Sequence, residues 1–253
     1  MKENRVRRIW RDGGVAYGAW LSIPNAFTAE IIARQGFDWV CIDMQHGWAD
    51  YPSALDMIAA IWTTDAAPFV RVPWNEQGII GRTLDAGAMG VIVPMVNSRA
   101  EAMAAVNACK YHPAGQRSYG PTRAAMLAGE DYFDRANQET LCIPMIETAT
   151  ALENLDEILT VPGVDAVYVG PADLSITLGL PPALDNQASA FLNAIRRIAE
   201  ACLAHDVTPG IHANASLAPR RKKIGYRMIT VSADVSALSS GAESDLGKAR
   251  EGE

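Results

Sequence analysis

Six polar side chains lie at or just after the ends of short apolar runs in the sequence, and their types suit acid, base and metal chemistry. They are Asp43, His46, Arg71, Glu147, Asp173 and His212. In a closed barrel of parallel strands, the carboxyl ends of all strands meet at one mouth, where such enzymes carry their chemistry. The positions of these residues therefore predict one shared site.

Glu147 and Asp173 end or follow neighbouring runs, 141–147 and 165–170. Two carboxylates held close together repel each other unless a cation or a proton lies between them. Carboxylate oxygens that leave room for water and substrate suit Mg²⁺, Mn²⁺ or a similar ion. The alternative is structural: one or both carboxylates pair with Arg71 or cap a following helix.

His46 follows Asp43 by three residues, and a carboxylate that fixes an imidazole tautomer is a common way to make a general base. His46 could equally be a loop histidine bonded to backbone. Arg71 lies inside the apolar run 68–74, where a guanidinium is costly to bury without an anion; a structural ion pair is its alternative role. His212 is placed either to contact a substrate or to serve as a polar core residue.

The five lysines, which are Lys2, Lys110, Lys222, Lys223 and Lys248, all lie outside the apolar runs. An aldolase that works through a Schiff base needs a lysine in its active site. Imine chemistry is therefore disfavoured, and stabilisation of an enolate by a metal ion is the preferred route.

Eight apolar runs recur along the chain, separated by segments that carry helix-start signals. The runs are 16–23, 39–44, 68–74, 90–96, 141–147, 165–170, 207–212 and 228–232; the start signals are Asn25, Asp50, Asn75, Ser98, Thr148 and Ser216. Runs without polar alternation are typical of parallel strands covered on both faces. Eight strand–helix units predict a single (β/α)8 barrel over residues 1–253, with a doubly wound open sheet as the alternative.

The composition limits the class of partner. The net charge is -7 and the estimated pI is near 5.2, which disfavours nucleic acid and favours a small-molecule substrate. Widely spaced cysteines in apolar runs and a charged N-terminus predict a cytoplasmic protein without membrane spans. The run of Arg5, Arg7, Arg8 and Arg11 is expected to be the solvated face of a first helix.

Several stretches resemble the HpcH/HpaI family of class II pyruvate aldolases, in order from about residue 15 to residue 235. They are CIDMQHGWAD (41–50), VRVPW (70–74), VIVPMV (91–96), YHPAGQRSYGP (111–121), IETATALENLDEI (146–158) and VYVGPADLSITLG (167–179). The resemblance implies a divalent metal ion, which could be Mg²⁺, Mn²⁺ or Co²⁺. It also implies a hexamer built as a dimer of trimers, in which the last helix is exchanged between neighbours.

The resemblance assigns roles residue by residue. Glu147 and Asp173 are similar to the metal ligands, His46 to a base acting through metal-bound water and oriented by Asp43, and Arg71 to the group that holds the keto oxygen and the enolate. The substrate carboxylate would meet backbone amides around Gly170, Ala172 and Asp173. Asp85 matches an acidic residue that reaches a neighbour's site in some relatives.

Two positions depart from the family pattern. Met145 stands where members often have Gln, two residues before the metal-binding Glu, and His212 is more polar than is usual at that strand end. Both lie among the expected substrate-binding residues, so they affect the choice of donor and acceptor.

The resulting hypothesis is reversible aldol cleavage of a 4-hydroxy-2-oxo acid to pyruvate or hydroxypyruvate and an aldehyde. The alternatives are an oxaloacetate-type decarboxylase, an acyl-CoA carbon–carbon lyase, and a catalytically silent barrel that binds 2-oxo acids.

Overall fold

The eight predicted strands form, and they close into a barrel in the computed structural model, which describes residues 1–251. Each strand pairs in parallel with the next, and the last pairs with the first, which rules out the open sheet. The strands are β1 (Ala16–Leu21), β2 (Trp39–Asp43), β3 (Ala67–Arg71), β4 (Gly90–Val93), β5 (Leu141–Ile146), β6 (Ala166–Val169), β7 (Thr208–Ile211) and β8 (Met228–Ala233). The predicted (β/α)8 barrel is confirmed.

Helices cover the outside of the barrel and one end of it. They are α1 (Arg5–Arg11), α2 (Ala26–Ala33), α3 (Tyr51–Ile61), α4 (Gln77–Asp85), α5 (Arg99–Cys109), α6 (Thr122–Ala128), α7 (Tyr132–Glu139), α8 (Ala149–Glu153), α9 (Leu155–Leu159), α10 (Pro171–Thr177), α11 (Ser189–Ala204), α12 (Ala218–Ile224) and α13 (Asp234–Arg250). No helix within residues 1–251 is long and apolar enough to span a membrane.

Four of the six predicted helix starts are N-caps whose side chains accept a backbone N–H: Asn25, Asp50, Ser98 and Thr148. Two predictions were wrong. The side chain of Asn75 donates to the carbonyl of Glu101, so Glu76 becomes the N-cap of α4. The hydroxyl of Ser216 bonds Asn214, and α12 begins after Leu217.

Alternate residues of each strand point into the barrel, where large aromatic rings fill the space. Trp39 stacks on Phe69 with 5.7 Å between ring centroids, and Trp20 stacks on Tyr168 at 5.6 Å. Gly18 lies opposite Trp39 in the β1–β2 register, and a β-carbon at Gly18 would overlap the indole ring. A glycine is therefore needed at this layer of the interior.

The arginine run is helical but is not simply a solvated face. Val6 of α1 is fully buried against the barrel interior, so the helix covers the N-terminal end. Arg5 pairs with Asp38 at 2.9 Å, and Arg7 pairs with Asp165. These two arginines anchor the helix to carboxylates that precede β2 and β6, which is why the expectation of a fully solvated face was wrong.

Helix α13 is exposed along its whole length except at its first residue, Asp234. The Asp234 carboxylate accepts the backbone N–H groups of Ser22 and Ile23 and is buried. Residues 235–251 are exposed, among them Val235, Leu238 and Leu246. The single domain over 1–253 remains a prediction, and residues 252–253 lie outside the described range.

We predict that Gly18→Ala destabilises the protein by about 1–3 kcal/mol, since the added methyl group must displace Trp39 within a closed, packed barrel. Gly81→Ala is the matched control: a β-carbon there meets no atom within 4 Å, and α4 should gain about 0.5–1 kcal/mol from a better helix former. Urea unfolding of the two variants measures both changes. Equal effects at the two positions would contradict the packing argument.

Candidate active site

The centre of the barrel mouth is an ion pair between two strands. Asp43 and Arg71 are register partners at the ends of β2 and β3, so both side chains enter the same layer of the interior. The guanidinium donates from Nε to Oδ1 at 2.9 Å and from Nη2 to Oδ2 at 2.5 Å. This forked contact fixes the orientation of Arg71, whose carbon Cζ also lies 4.9 Å from the centre of the Trp20 ring.

Asp43 accepts further hydrogen bonds from Trp20 Nε1 at 3.1 Å and from the backbone N–H groups of Gln45 at 3.0 Å and His46 at 3.2 Å. Burial alone would raise the pKa of Asp43, but the hydrogen bonds and charge of Arg71, with the Trp20 bond, lower this pKa below its ordinary value. Asp43 therefore stays ionised at neutral pH.

The expected contact between Asp43 and the imidazole of His46 is not the one found. Both carboxylate oxygens are taken by Arg71, so Asp43 reaches His46 through its backbone N–H and shapes the loop instead of the ring. His46 itself is exposed and lines the cavity at the barrel mouth.

Glu147 directly follows β5 and is buried. Its Oε1 accepts the backbone N–H of Met95 at 2.8 Å. Met95 has φ 55°, in the left-handed region, at the turn that follows β4. A β-carbon at Gly170 would overlap Oε2 of Glu147, so only glycine leaves space for this oxygen.

Burial raises the pKa of Glu147 to about 7, and the negative charge of Asp173 raises it as well. The Met95 N–H and the charge of Arg71 act in the opposite direction. Asp173 lies in the first turn of α10, directly after β6, and lines the same cavity. A carboxylate with this pKa beside a second carboxylate is stabilised in its charged form by a cation.

The cavity has a volume of about 470 Å³ and opens at the C-terminal mouth of the barrel. The lining residues form two groups in the strand order around the barrel, and the group that follows β2, β3, β5 and β6 contains Arg71, Glu147 and Asp173, together with His46; we call it the charged wall. The other wall is uncharged at neutral pH and comes from β7, β8, the start of α13 and the segment between α10 and α11: His212, Ala233, Val235, Ser236 and Leu184.

His212 belongs to an aromatic cluster on the second wall. Its Nδ1 lies 3.3 Å from the hydroxyl of Tyr168, which also bonds the hydroxyl of Thr230, and its ring meets Trp20 edge-on at 5.0 Å. Burial, and then the charge of Arg71, lowers the pKa of His212 to about 4. The imidazole is therefore neutral at physiological pH.

The donor set fits a divalent cation that keeps open positions. No group of three or more His, Cys, Asp and Glu side chains within residues 1–251 could enclose a metal ion. The two carboxylates instead face a cavity with room for water and for substrate oxygens, the environment that Mg²⁺ and Mn²⁺ accept. Oε2 of Glu147, next to Gly170, has no hydrogen bond within the described chain.

The comparisons with known proteins identify the family and agree with the barrel fold. The family model of the HpcH/HpaI aldolase/citrate lyase family matches residues 16–240, so the chain belongs to that family. A hydroxypyruvate/pyruvate aldolase of Rhizorhabdus wittichii is 39% identical over 98% of this chain and 99% of its own. A 4-hydroxy-2-oxo-heptane-1,7-dioate aldolase of Klebsiella pneumoniae is 37% identical over 95% and 91%.

Among solved structures, a family member from Burkholderia cenocepacia superposes with a TM-score of 0.91 at 33% identity, over 98% of this chain and 99% of that one. The protein is thus a carbon–carbon lyase of the class II aldolase type. This class of aldolases depends on a divalent metal ion.

The predicted site residues are mostly brought together. Residues around one cavity are Arg71, His46, Glu147, Asp173, Gly170, Ala172, Met145 and His212, with Asp43 directly behind Arg71. Met145 is buried under Gly170, so an apolar side chain occupies the position for which the resemblance implies glutamine. Asp85 lies outside this cavity, at the end of α4. Its Oδ1 accepts a hydrogen bond from Nη2 of Arg117 at 2.6 Å, and Arg117 belongs to the long connection before β5.

Sequence reasoning missed Trp20, Met95, Tyr168 and Leu184. In the sequence, Trp20 and Tyr168 look like ordinary apolar strand residues. The signal that could have identified them is the alternation along β1 and β6, which places every second side chain in the barrel interior. Met95 contributes only a backbone N–H, and Leu184 lies in a segment without periodicity. No pattern in the sequence marks either of them.

We predict a pH-dependent effect of Glu147→Gln on metal-free protein. The pKa of Glu147 is higher in the folded chain than its ordinary value of 4.5. Protonated Glu147 therefore leaves the folded state at its full stability below pH 4.5, and this stability decreases as the pH rises toward 7. At pH 8 the variant should be more stable than wild type by on the order of 3 kcal/mol, and at pH 4 nearly equal to it.

Chemical denaturation in the presence of a chelator at the two pH values measures this difference. Glu157→Gln, at an exposed position of α9, is the matched control and should show no pH-dependent difference. A Glu147→Gln variant that is equally destabilised at both pH values would contradict the charge argument.

Proposed function

We propose that the enzyme cleaves 4-hydroxy-2-oxo acids reversibly to pyruvate or hydroxypyruvate and an aldehyde. The observation that carries the proposal is the buried carboxylate of Glu147, which shares one cavity with Asp173 and with an Arg71 held rigidly by Asp43. The names of the two aldolase relatives support the substrate class, since both act on 2-oxo acids.

Glu147 and Asp173 would hold the divalent ion, which is Mg²⁺, Mn²⁺ or Co²⁺ in this proposal. When bound, the ion supplies Lewis-acid polarisation of the 2-oxo acid, which makes the carbon next to the ketone more acidic.

Arg71 orients the substrate and shares the charge that develops on it. Asp43 takes Nε and Nη2, and Nη1 has no hydrogen-bond partner within residues 1–251, so it remains for the keto oxygen. Because the ion pair is formed before substrate binds, little reorganisation is needed when enolate charge appears. Backbone N–H groups around Gly170, Ala172 and Asp173, at the start of α10, receive the carboxylate.

His46 removes the proton of the C4 hydroxyl through a water molecule. Asp43 holds the His46 loop by accepting two of its backbone N–H groups, so the base and Arg71 depend on the same carboxylate. Loss of the proton breaks the C3–C4 bond, the aldehyde leaves, and the enolate gains a proton to give the 2-oxo acid. His212 on the uncharged wall and Met145 on β5 contact the substrate.

We also propose a hexamer, a dimer of trimers in which α13 is exchanged between neighbours and Asp85 contributes to a neighbouring site. The exposed apolar residues of α13, Val235, Leu238 and Leu246, support an intersubunit role for this helix, since exposed clusters of this kind are covered in assemblies. Four buried, unpaired cysteines are in keeping with the reducing cytoplasm.

The proposal is tested with two variants. Glu147→Ala should lose Mn²⁺ binding and aldol cleavage together, because it removes a ligand. His46→Ala should keep Mn²⁺ binding while kcat falls by about 10²–10⁴-fold, because it removes only the base. Mn²⁺ titration followed by electron paramagnetic resonance, and pyruvate release coupled to NADH oxidation, measure the two quantities.

Decarboxylation of oxaloacetate with and without Mn²⁺ supplies the control, corrected for the rate with Mn²⁺ and no enzyme. Loss of CO2 from oxaloacetate gives the same pyruvate enolate as aldol cleavage does. An enzyme that stabilises this enolate should therefore release CO2 from oxaloacetate, whatever its natural aldehyde. Wild-type turnover that persists after thorough chelation would refute the metal-dependent mechanism.

The assembly is tested by Leu238→Asp, which places a charge on the exposed apolar face of α13. Light scattering should give a mass near six chains for wild type and a smaller species for the variant, because a buried unpaired carboxylate disfavours the contact. Glu243→Gln, also exposed on α13, is the control and should keep the wild-type mass. A monomeric wild type would contradict the proposed hexamer.

A further inference from the structure

The segment 179–188, which we name the wall loop, joins α10 to α11 without regular structure of its own. α10 carries Asp173 in its first turn, so the wall loop begins one helix after a candidate metal ligand. Leu184 of this loop lines the active-site cavity. A loop without helix or strand hydrogen bonds needs another anchor if it is to form a defined wall.

The anchor is Asp185, the residue next to Leu184. Its Oδ1 accepts from Arg221 Nη2 at 2.7 Å, and its Oδ2 accepts from Arg220 Nη1 at 3.1 Å. Within the loop, Gln187 Nε2 also donates to Oδ2 at 2.6 Å. Both arginines belong to α12, so the contact ties the wall loop to the helix that follows β7.

Arg221 is fully buried, and its Nε and Nη1 have no partner within the described residues. Its remaining contact besides Asp185 is a long one of 3.5 Å, from Nη2 to the carbonyl of Leu184. A buried guanidinium is strongly disfavoured without an anion, so the pair with Asp185 resists opening. The charge of Arg221 thereby holds the backbone at Leu184 in one position.

The two walls of the cavity divide the substrate between them. The carboxylate and ketone of a 2-oxo acid belong at the charged wall, beside Arg71, Glu147 and Asp173. Carbon C4 and the atoms beyond it, which depart as the aldehyde, then face the uncharged wall, where Leu184 is one of the larger apolar side chains.

We propose that Leu184 limits the chain length of the aldehyde that the enzyme accepts, and that Asp185 is a positioning residue that holds Leu184 there through Arg221. This inference rests on the proposed aldolase function. It assigns the acceptor end of the cavity to the wall loop, and it predicts a preference for short aldehydes that depends on an ion pair outside the cavity.

The test is the ratio of kcat/KM for addition of pyruvate to hexanal over that for acetaldehyde. Leu184→Ala should raise this ratio about tenfold, because removing the branched side chain opens room for several methylene groups. Asp185→Asn should raise it in the same direction, because the loop is released. In the double variant the ratio should not exceed that of Leu184→Ala alone, because Asp185 acts through Leu184.

Asp185→Asn leaves Arg221 buried without a carboxylate and could unfold the chain, so Asp185→Asn/Arg221→Met is made beside it. This pair removes both charges and should raise the ratio as far as Asp185→Asn does. Asp156→Asn is the matched control, since Asp156 pairs with His205 at 3.0 Å on an exposed surface; its ratio should equal that of wild type.

An unchanged ratio in Leu184→Ala overturns the inference, and so do fully additive effects of Leu184→Ala and Asp185→Asn. Oxaloacetate decarboxylation by wild type separates this failure from failure of the proposed function. If wild type decarboxylates oxaloacetate with Mn²⁺ but the variants do not change the ratio, only the wall-loop inference falls. If wild type neither decarboxylates oxaloacetate nor adds pyruvate to any aldehyde, the aldolase proposal falls and the inference falls with it.

Discussion

The site depends on one electrostatic constraint, the burial of the Glu147 carboxylate beside a second carboxylate. Burial and the charge of Asp173 both favour the protonated acid, while a single backbone N–H and a nearby guanidinium oppose them incompletely. In the proposed mechanism a divalent cation held by the two acids would restore the balance. On that proposal, metal binding and ionisation of Glu147 would be linked, and the surrounding residues would support this linkage.

The residues around Glu147 and Asp173 support the two acids through different contacts. Gly170 leaves space for one carboxylate oxygen, and Met95 satisfies the other. Asp43 is the ion-pair partner of Arg71, so the guanidinium lies beside the acids without forming an ion pair with Glu147. Below them, stacked aromatic rings fill the barrel interior and exclude water. The lower local dielectric strengthens the electrostatic interactions between charges at the mouth.

On the proposed function, the charged wall of the cavity would govern reactivity and the uncharged wall would govern selectivity. The charged wall lies at the ends of β2, β3 and β5 and the start of α10, where strand register sets positions closely. The uncharged wall uses the ends of β7 and β8, the start of α13 and the wall loop, which are bound by side chains such as Asp185 and Asp234. On this proposal, the acceptor preference could change through the uncharged wall without moving Glu147 and Asp173.

Much of the fold and part of the site could be predicted from the sequence. Apolar runs with little polar alternation identify strands buried on both faces, and the short polar stretches that end them identify the mouth of the barrel, so Asp43, Arg71, Glu147 and His212 were found from position alone. The helix starts at Asn75 and Ser216 were wrong because those side chains bond elsewhere, and α1 packs through Val6 while Arg5 and Arg7 bind carboxylates far along the chain.

The sequence by itself determined the (β/α)8 architecture, the family and the residue types at the mouth, because these depend on local periodicity and on motifs that are contiguous in the chain. Only the tertiary structure decided which groups bond to each other. Asp43 pairs with Arg71 instead of the His46 ring, the backbone N–H of Met95 donates to Glu147, and Asp185 pairs with Arg221. Such pairings depend on strand register and on the path of loops between distant residues, which local sequence patterns do not encode.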